Sequence, residues 1–388
     1  MCYKIYLKKN EERRIVAGHS WVYANEVARV EGKAQNGSLA SVYSYDGRFI
    51  GKGYINHASK ILVRVFIRND GEDDENFYAE AIAKADAYRK KLGYDNCYRV
   101  VFAEADNLPA LIVDKYGDYL VIQCLSLGID KRKKLICERL KEHFNPKGIY
   151  ERSDVAVRKK EGLAEVKGLL YGEIPDYCPV EENGVKMLVD VKNGQKTGYF
   201  LDQKENRFAA RKYCKGGEVL DCFCNSGGFS LNAATVAKKV IACDISPLAL
   251  KNVDDNARLN GFKNVETLQG DVFEVLRGFK KQKRQFDTVI LDPPAFCKTA
   301  DEVKDAYRGY KDINLTAMKI VKGGGFLITC SCSHYMTMPL FEKMLFEAAR
   351  ESGRTVRSVE VKTQAPDHPS LLCAEETQYL KFFVLQID

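Results

Sequence analysis

Hydrophobic positions along the 388-residue chain change their period twice. Over residues 1–70 the short runs SLASVYS, FIGKGYI and ILVRVFI are separated by the turn pairs Asn36-Gly37 and Asp46-Gly47, which predicts a small β-barrel. The stretch RNDGEDDEN at 68–76 is polar and turn-rich and reads as a linker. Residues 77–94 show helical spacing, and the strand-like runs CYRVVFAEA, ALIVDKYGDYLVIQCL and GIYERSD follow with one helix over 130–143, predicting an α+β segment. From about residue 185 the near-continuous apolar runs GEVLDCF, KKVIACD, NVETLQGD, FDTVILD and GGGFLITC alternate with helical stretches. Such alternation means a mostly parallel sheet covered by helices on both faces, an α/β fold. The tail TQYLKFFVLQID reads as one further strand, expected at an antiparallel edge. The expected domains are 1–72, 73–184 and 185–388.

Composition narrows this picture. With 45% hydrophobic and 29% charged residues the chain is of ordinary globular type. It has no apolar stretch of the roughly 18 residues a membrane span requires. The start MCYKIYLKKNEERR lacks the apolar segment of a secretory signal, so a cytoplasmic protein with no membrane partner is expected. Thirteen cysteines, with no C-x-x-C pair and only five histidines, argue against a disulfide framework and against a structural metal. Charge is uneven: residues 1–70 carry 12 Lys/Arg against 6 Asp/Glu, most of the chain's net +7. A basic module ahead of a near-neutral remainder suggests a polyanion such as nucleic acid, the alternative being a solvated basic face.

The chemistry is expected at the carboxyl ends of the parallel strands, where open α/β sheets bind ligands. The first of these strands ends in LDCFCNSGGFS, where Asp221 closes an apolar run and Gly227 and Gly228 permit a tight turn into a helix. No G-x-G-x-x-G is present, so a pyrophosphate cradle, and with it a nicotinamide dehydrogenase, is disfavoured. The second strand ends in ACDIS. Asp244 there is placed to accept from ribose hydroxyls, while Ser246 before Pro247 is the better helix cap. At the third tip Asp271 is either a cap or an acceptor for an adenine amine. Three acidic tips and a glycine turn without a phosphate motif suit a cationic nucleoside, S-adenosylmethionine. Phe223, Asn225, Ile245 and Val272, which flank these acids and glycines, are taken with them as cofactor-binding residues.

The fourth strand ends in ILDPPAF. Pro293 and Pro294 cannot continue the ladder, and their stiff exit presents Asp292 and Phe296 to an acceptor base. The fifth ends in ITCSCS. Carbon 5 of cytosine becomes nucleophilic only after a thiolate adds at carbon 6, and a cysteine at this tip supplies that thiolate. The competing reading for Cys330 is core packing. Its polar neighbours Thr329 and Ser331 favour a catalytic thiol, with Cys332 two residues on as the other candidate.

These motifs, with ERRIVAGHSWVYANEV, EADNLPALIVDKYGD, YERSD with VRKKEGL, NGQKTGYFLDQKENR, RGYKDIN and TCSCS, resemble the bacterial 23S ribosomal RNA cytosine-C5 methyltransferases that carry an N-terminal PUA domain. The resemblance implies an RNA-binding PUA domain, a small α+β domain, and a Rossmann-like methyltransferase domain built on a seven-stranded sheet. It implies ribosomal RNA as partner, S-adenosylmethionine as cofactor, and roles near cofactor or substrate for Gln195, Lys196, Tyr199 and Asp202, and it leaves a homodimer open. The stretch departs from related RNA cytosine-C5 enzymes of a different domain plan, which carry a cysteine beside the fourth-strand proline. Here Cys297 comes several residues later, so product release is left to another base. Two rivals remain: methylation of an exocyclic amine or another base atom, which needs no thiol, and a non-catalytic RNA-binding or ribosome-assembly factor.

Overall fold

The computed structural model describes residues 3–33, 35–69 and 71–388, so Asp70 of the expected linker lies outside the described residues. The chain divides into two compact units. One comprises residues 1–180, 189–201 and 366–377, the other residues 181–188, 202–365 and 378–388.

The first unit holds two sheets. Strands β1 (Tyr3–Leu7), β2 (Trp21–Tyr23), β3 (Val27–Glu31), β4 (Leu39–Tyr43), β5 (Phe49–Ile55) and β6 (Ile61–Ile67), with the short helix α1 (Glu12–Val16), form a sheet of order β2-β6-β5-β4-β1-β3. Bulges interrupt four of its pairings, which raises the twist and lets the sheet coil around Ile5, Val22, Val42 and Val63. The expected linker is pinned. Asp73 pairs with Arg132 at 2.6 Å, and Asp74 caps helix α2 (Glu75–Lys91) by accepting from the Phe77 amide. Strands β7 (Cys97–Phe102), β8 (Leu111–Tyr116), β9 (Tyr119–Cys124), β10 (Gly148–Ser153) and β11 (Val166–Gly172) lie in the order β11-β10-β9-β8-β7, with α2 and α3 (Leu127–Phe144) packed on them. Two sheets thus lie where two small domains are expected, but they cluster as one unit, which also takes in 189–201 and 366–377.

Strands β12 (Cys178–Glu182) and β13 (Val185–Val189) make a two-stranded sheet of their own. The second unit then runs α4 (Lys204–Cys214), β14 (Glu218–Cys222), α5 (Gly228–Ala234), β15 (Lys239–Asp244), α6 (Pro247–Leu259), β16 (Val265–Gln269), α7 (Val272–Lys281), β17 (Phe286–Leu291), α8 (Val303–Ile320), β18 (Val321–Ser331), α9 (Met338–Ser352), β19 (Val356–Lys362) and β20 (Lys381–Ile387). Its seven strands lie in the order β16-β15-β14-β17-β18-β20-β19, parallel from β16 to β18 and antiparallel across β20 and β19. The tail strand is therefore interior, a correction to the expected edge. KFFVLQI is buried along nearly its whole length, which demands a neighbour on each side, and β19 supplies the outer one. Order reverses between β14 and β17, so the tips of β14, β15, β17 and β18 frame the crevice where such sheets bind ligands.

Candidate active site

The β14 tip is acidic and sealed. Asp221 is fully buried, its Oδ2 accepts from the Ser230 hydroxyl at 2.5 Å, and its Oδ1 has no protein partner. Burial pushes its carboxyl up to about 7, and the Asp292 and Asp244 charges act in the same direction. Past Asp221 the chain turns sharply: Phe223, Asn225 and Gly227 all adopt positive φ. At Gly227, with φ of +90°, a side chain would be strained and its Cβ would crowd Val253 at 3.2 Å, so glycine is required. Gly228 opens α5. Asp244 holds this turn, since its Oδ2 accepts from the Asn225 amide at 3.0 Å and its Oδ1 from the Ser246 amide at 2.9 Å. Ser246 caps α6 by accepting from the Ala249 amide, which leaves Asp244 facing the turn. Ile245 beside it is 66% exposed, an apolar face next to an acid. Asp271 caps α7 by accepting from the Glu274 amide, and Val272 is buried behind it.

At the β17 tip Asp292 is half-buried, and its Oδ1 accepts from the Gln203 amide at 2.9 Å. Gln203 is itself oriented by Asn206, which donates to Gln203 Oε1 at 2.7 Å and to the Thr363 carbonyl at 3.1 Å. Sequence reading missed Gln203. It directly precedes the hydrophilic run that starts α4, and its only signal is an amide in LDQKENR. Pro293 is buried and Pro294 exposed. Phe296 is half-buried and packs in an aromatic cluster, 4.6 Å from Tyr310, 6.1 Å from Phe273 and 6.3 Å from Phe223 between ring centroids. Cys297 is buried and donates its thiol to the Thr299 carbonyl.

The two thiols of β18 part company. Cys330 is fully buried in a cluster with Phe229, Ile290, Ile328 and Phe382. Burial first, and then Asp292, push its thiol well above the ordinary range, against a hydrogen bond from Gln203. The polar rim expected around Cys330 is corrected: Thr329 and Ser331 are as buried as it is. Cys332 lies just past the strand and is partly exposed. The residue after it is clamped. Ser333 Oγ meets the Tyr310 hydroxyl at 2.9 Å and accepts from the Cys297 amide at 3.3 Å, and the Ser333 carbonyl accepts from Lys381 Nζ at 2.7 Å.

Gln195, Lys196 and Tyr199 belong to the first unit. Their loop is held by Asp190, whose Oδ1 accepts from the Lys192 and Asn193 amides, and by Arg152, which donates to the Val191 and Gly194 carbonyls at 2.9 Å each. Gln195 and Lys196 are exposed, and Tyr199 is buried at 4%. Asp202 opens the second unit, accepting from the Tyr379 hydroxyl at 2.6 Å. Among the described residues no helix is long and apolar enough to cross a membrane.

Comparison with known proteins fits this geometry. Residues 5–68 match the PUA-like domain family and residues 160–383 the S-adenosylmethionine-dependent methyltransferases. A putative S-adenosylmethionine-dependent methyltransferase from Streptococcus mutans shares the fold over the full length of both chains, with a TM-score of 0.83 at 20% identity. The fold and its strand-tip site therefore define an S-adenosylmethionine-dependent methyltransferase, an enzyme with S-adenosylmethionine as its cofactor. The chain is 43% identical to ribosomal RNA large subunit methyltransferase I of Vibrio cholerae over 99% of each chain, and 41% identical to that of Aliivibrio fischeri over the whole of both. It belongs to the ribosomal RNA large subunit methyltransferase I family.

The residues present fit that cofactor. Asp221 keeps one buried carboxylate oxygen without a protein partner, the turn at Gly227 has a backbone that disfavours a side chain, and three carboxylates rim the tips. A sulfonium and an ammonium suit such a rim, whereas a pyrophosphate would be repelled by it.

Proposed function

We propose that the protein methylates carbon 5 of a cytidine in large-subunit ribosomal RNA, with Cys332 as the nucleophile and Asp292 as the base of the same site. The turn at Asp221, Phe223, Asn225, Gly227 and Gly228 and the tips bearing Asp244, Ile245, Asp271 and Val272 would hold the cofactor, which supplies an electrophilic methyl group when bound. Pro293, Pro294 and Phe296 are assigned to the wall against which the base stacks.

The observation that carries the reading is the difference in access at the β18 tip. A nucleophile must reach the ring and exist as thiolate. Cys332 is partly exposed and Cys330 is sealed with its thiol held protonated. In the proposed sequence Cys332 loses its proton to solvent, and its sulfur adds to carbon 6. Carbon 5 then takes the methyl group. Asp292 accepts the carbon-5 proton, the carbon–sulfur bond breaks, and the thiolate is regenerated. The Gln203–Asn206 chain keeps Asp292 aimed at the site.

The basic N-terminal module supports an RNA partner, though its charge is partly spent inside the unit. Arg64 pairs with Glu161 at 2.9 Å, Arg14 with Glu26 at 2.8 Å, and Arg68 donates to the Ile15, Gly18 and His19 carbonyls. Lys8, Lys9, Arg13, Lys33, Arg48 and Lys60 are exposed and left for phosphates. A ribosomal substrate puts the work in the cytoplasm. Nucleoside mass spectrometry of ribosomal RNA from cells with and without the protein tests the reading. One 5-methylcytidine is lost without it, restored by the wild type and not by Cys332→Ala. Restoration by Cys332→Ala would transfer the chemistry to a thiol-free methylation.

A further inference from the structure

A buried cation lies beside the proposed nucleophile. Lys381 starts β20, and its backbone pairs with Ser331, the residue before Cys332. Its Nζ donates to the carbonyl of Ser333, the residue after Cys332, and to the Tyr379 carbonyl, at 2.7 Å each. The side chain therefore runs across the strand tip and brackets Cys332 from both sides.

Lys381 is 4% exposed and has no carboxylate partner among the described residues. A buried ammonium without a counter-ion is expensive and persists only where something compensates. Burial lowers its pKa to about 8, and the one charge acting against that is Cys332. Other titratable groups lie around the tip. Tyr310 on α8 is pushed up to about 12, Cys330 on β18 and Cys297 after β17 are raised by burial, and Asp292 at the β17 tip is held by Gln203.

We propose that Lys381 is a positioning residue for the methyl transfer, an ammonium fixed across the β18 tip that favours the Cys332 thiolate and holds its sulfur towards the base. The step it assists is the loss of the thiol proton to solvent, with Lys381 remaining protonated throughout. This rests on the reading of Cys332 as nucleophile.

The test is alkylation of the full-length protein by iodoacetamide from pH 6 to 9.5, with the Cys332 peptide followed by mass spectrometry. In the unaltered protein Cys332 reacts half-maximally at a lower pH than free cysteine. In Lys381→Met its reaction at pH 7 slows about tenfold and its profile moves to alkaline pH, as expected when a neighbouring cation is removed. Lys381→Arg, which keeps the charge, stays within about threefold of wild type. S-adenosylmethionine binding by calorimetry, unchanged in both variants, separates this effect from misfolding. A wild-type profile no more acidic than free cysteine overturns the proposal even if neither variant folds. So does a Lys381→Met profile equal to wild type with binding retained. Failure of the nucleophile reading is a different result: Cys332→Ala then keeps its methylation activity, whatever the alkylation profiles show.

Discussion

The chain writes C-x-C at the ends of two strands of one sheet, and the two pairs meet opposite fates. Cys222 and Cys224 leave β14 buried among apolar side chains, with the carboxylates of Asp221 and Asp244 near enough to act on them. Burial raises both thiols well above the ordinary range, and Asp221 raises them further, with Asp244 adding to the effect on Cys224. Cys330 and Cys332 leave β18 beside a lysine. There one thiol is sealed in the core, and the other is partly exposed with an ammonium across its strand tip. The spacing is the same, so spacing does not decide reactivity. What decides it is the sign of the nearest charge and whether solvent reaches the sulfur. The acidic end suits a cationic cofactor and forbids a thiolate; the basic end does the reverse. One site can hold both because β17 and Asp292 lie between them.

The strongest way to break that contrast is to remove each β18 thiol in turn. Cys332→Ala is expected to lower methylation of ribosomal RNA by at least ~10³-fold while leaving S-adenosylmethionine affinity unchanged, because a step made only in the transition state is lost. Cys330→Ala should keep turnover within a few-fold and cost roughly 1–2 kcal/mol of stability, the usual price of a small core deletion. Single-turnover assays with calorimetric binding, and denaturation of both variants, check the pair. The reverse pattern would return the chemistry to the buried cysteine.

The acidic end makes a prediction of its own. The Asp221 carboxyl is pushed up to about 7, so the folded protein holds a proton there that the unfolded chain, with an ordinary aspartate near ~3.9, has released. Between about pH 4 and pH 7 the native state binds more protons than the unfolded one, and stability falls as pH rises. Above pH 7 the cost of the buried charge is fully present. Asp221→Asn removes it, so the apparent Tm of the variant should exceed wild type most at pH 8, by less at pH 5, and match it only below about pH 4. A difference that does not depend on pH would mean that Asp221 titrates normally.

Most of the methyltransferase sheet was legible from the sequence because parallel strands are buried on both faces and write themselves as apolar runs, as β14, β15, β17 and β18 do. What escaped has identifiable causes. VRSVEVK of β19 alternates charges over an exposed surface and resembles a loop, and without it KFFVLQI looked like an edge. The surroundings of Cys330 were misjudged because polar letters on either side of it suggested water, while pairing with β17 and β20 buries Thr329 and Ser331 as well. Gln203 and Lys381 reach the site through pairings made by distant parts of the chain. Only one clue existed for Lys381, a charged residue directly before a continuous apolar strand, where an unpaired cation has no evident purpose. The lead-in NGQKTGY was marked by its composition, but a glycine such as Gly198, at φ +130° with its Cβ position 2.9 Å from Val189, shows a need of the backbone that composition cannot express.

The smallest expected effect tests how rigid the basic end must be. Tyr310 is buried, packs on Phe296 and meets Ser333 Oγ at 2.9 Å, so it reaches the tip from α8. Tyr310→Phe keeps the ring and removes the hydroxyl, leaving Ser333 with the Cys297 amide on its Oγ and the Lys381 ammonium on its carbonyl. One neutral hydrogen bond is worth about 1 kcal/mol, a factor of roughly five if all of it is lost from the transition state. Turnover should therefore fall only a few-fold, with S-adenosylmethionine affinity unmoved, since the cofactor rim at β14 to β16 shares no bond with Ser333. An equal loss in cofactor binding would show that the two strand ends are not separable, and that the β18 tip shapes the acidic end as well as its own.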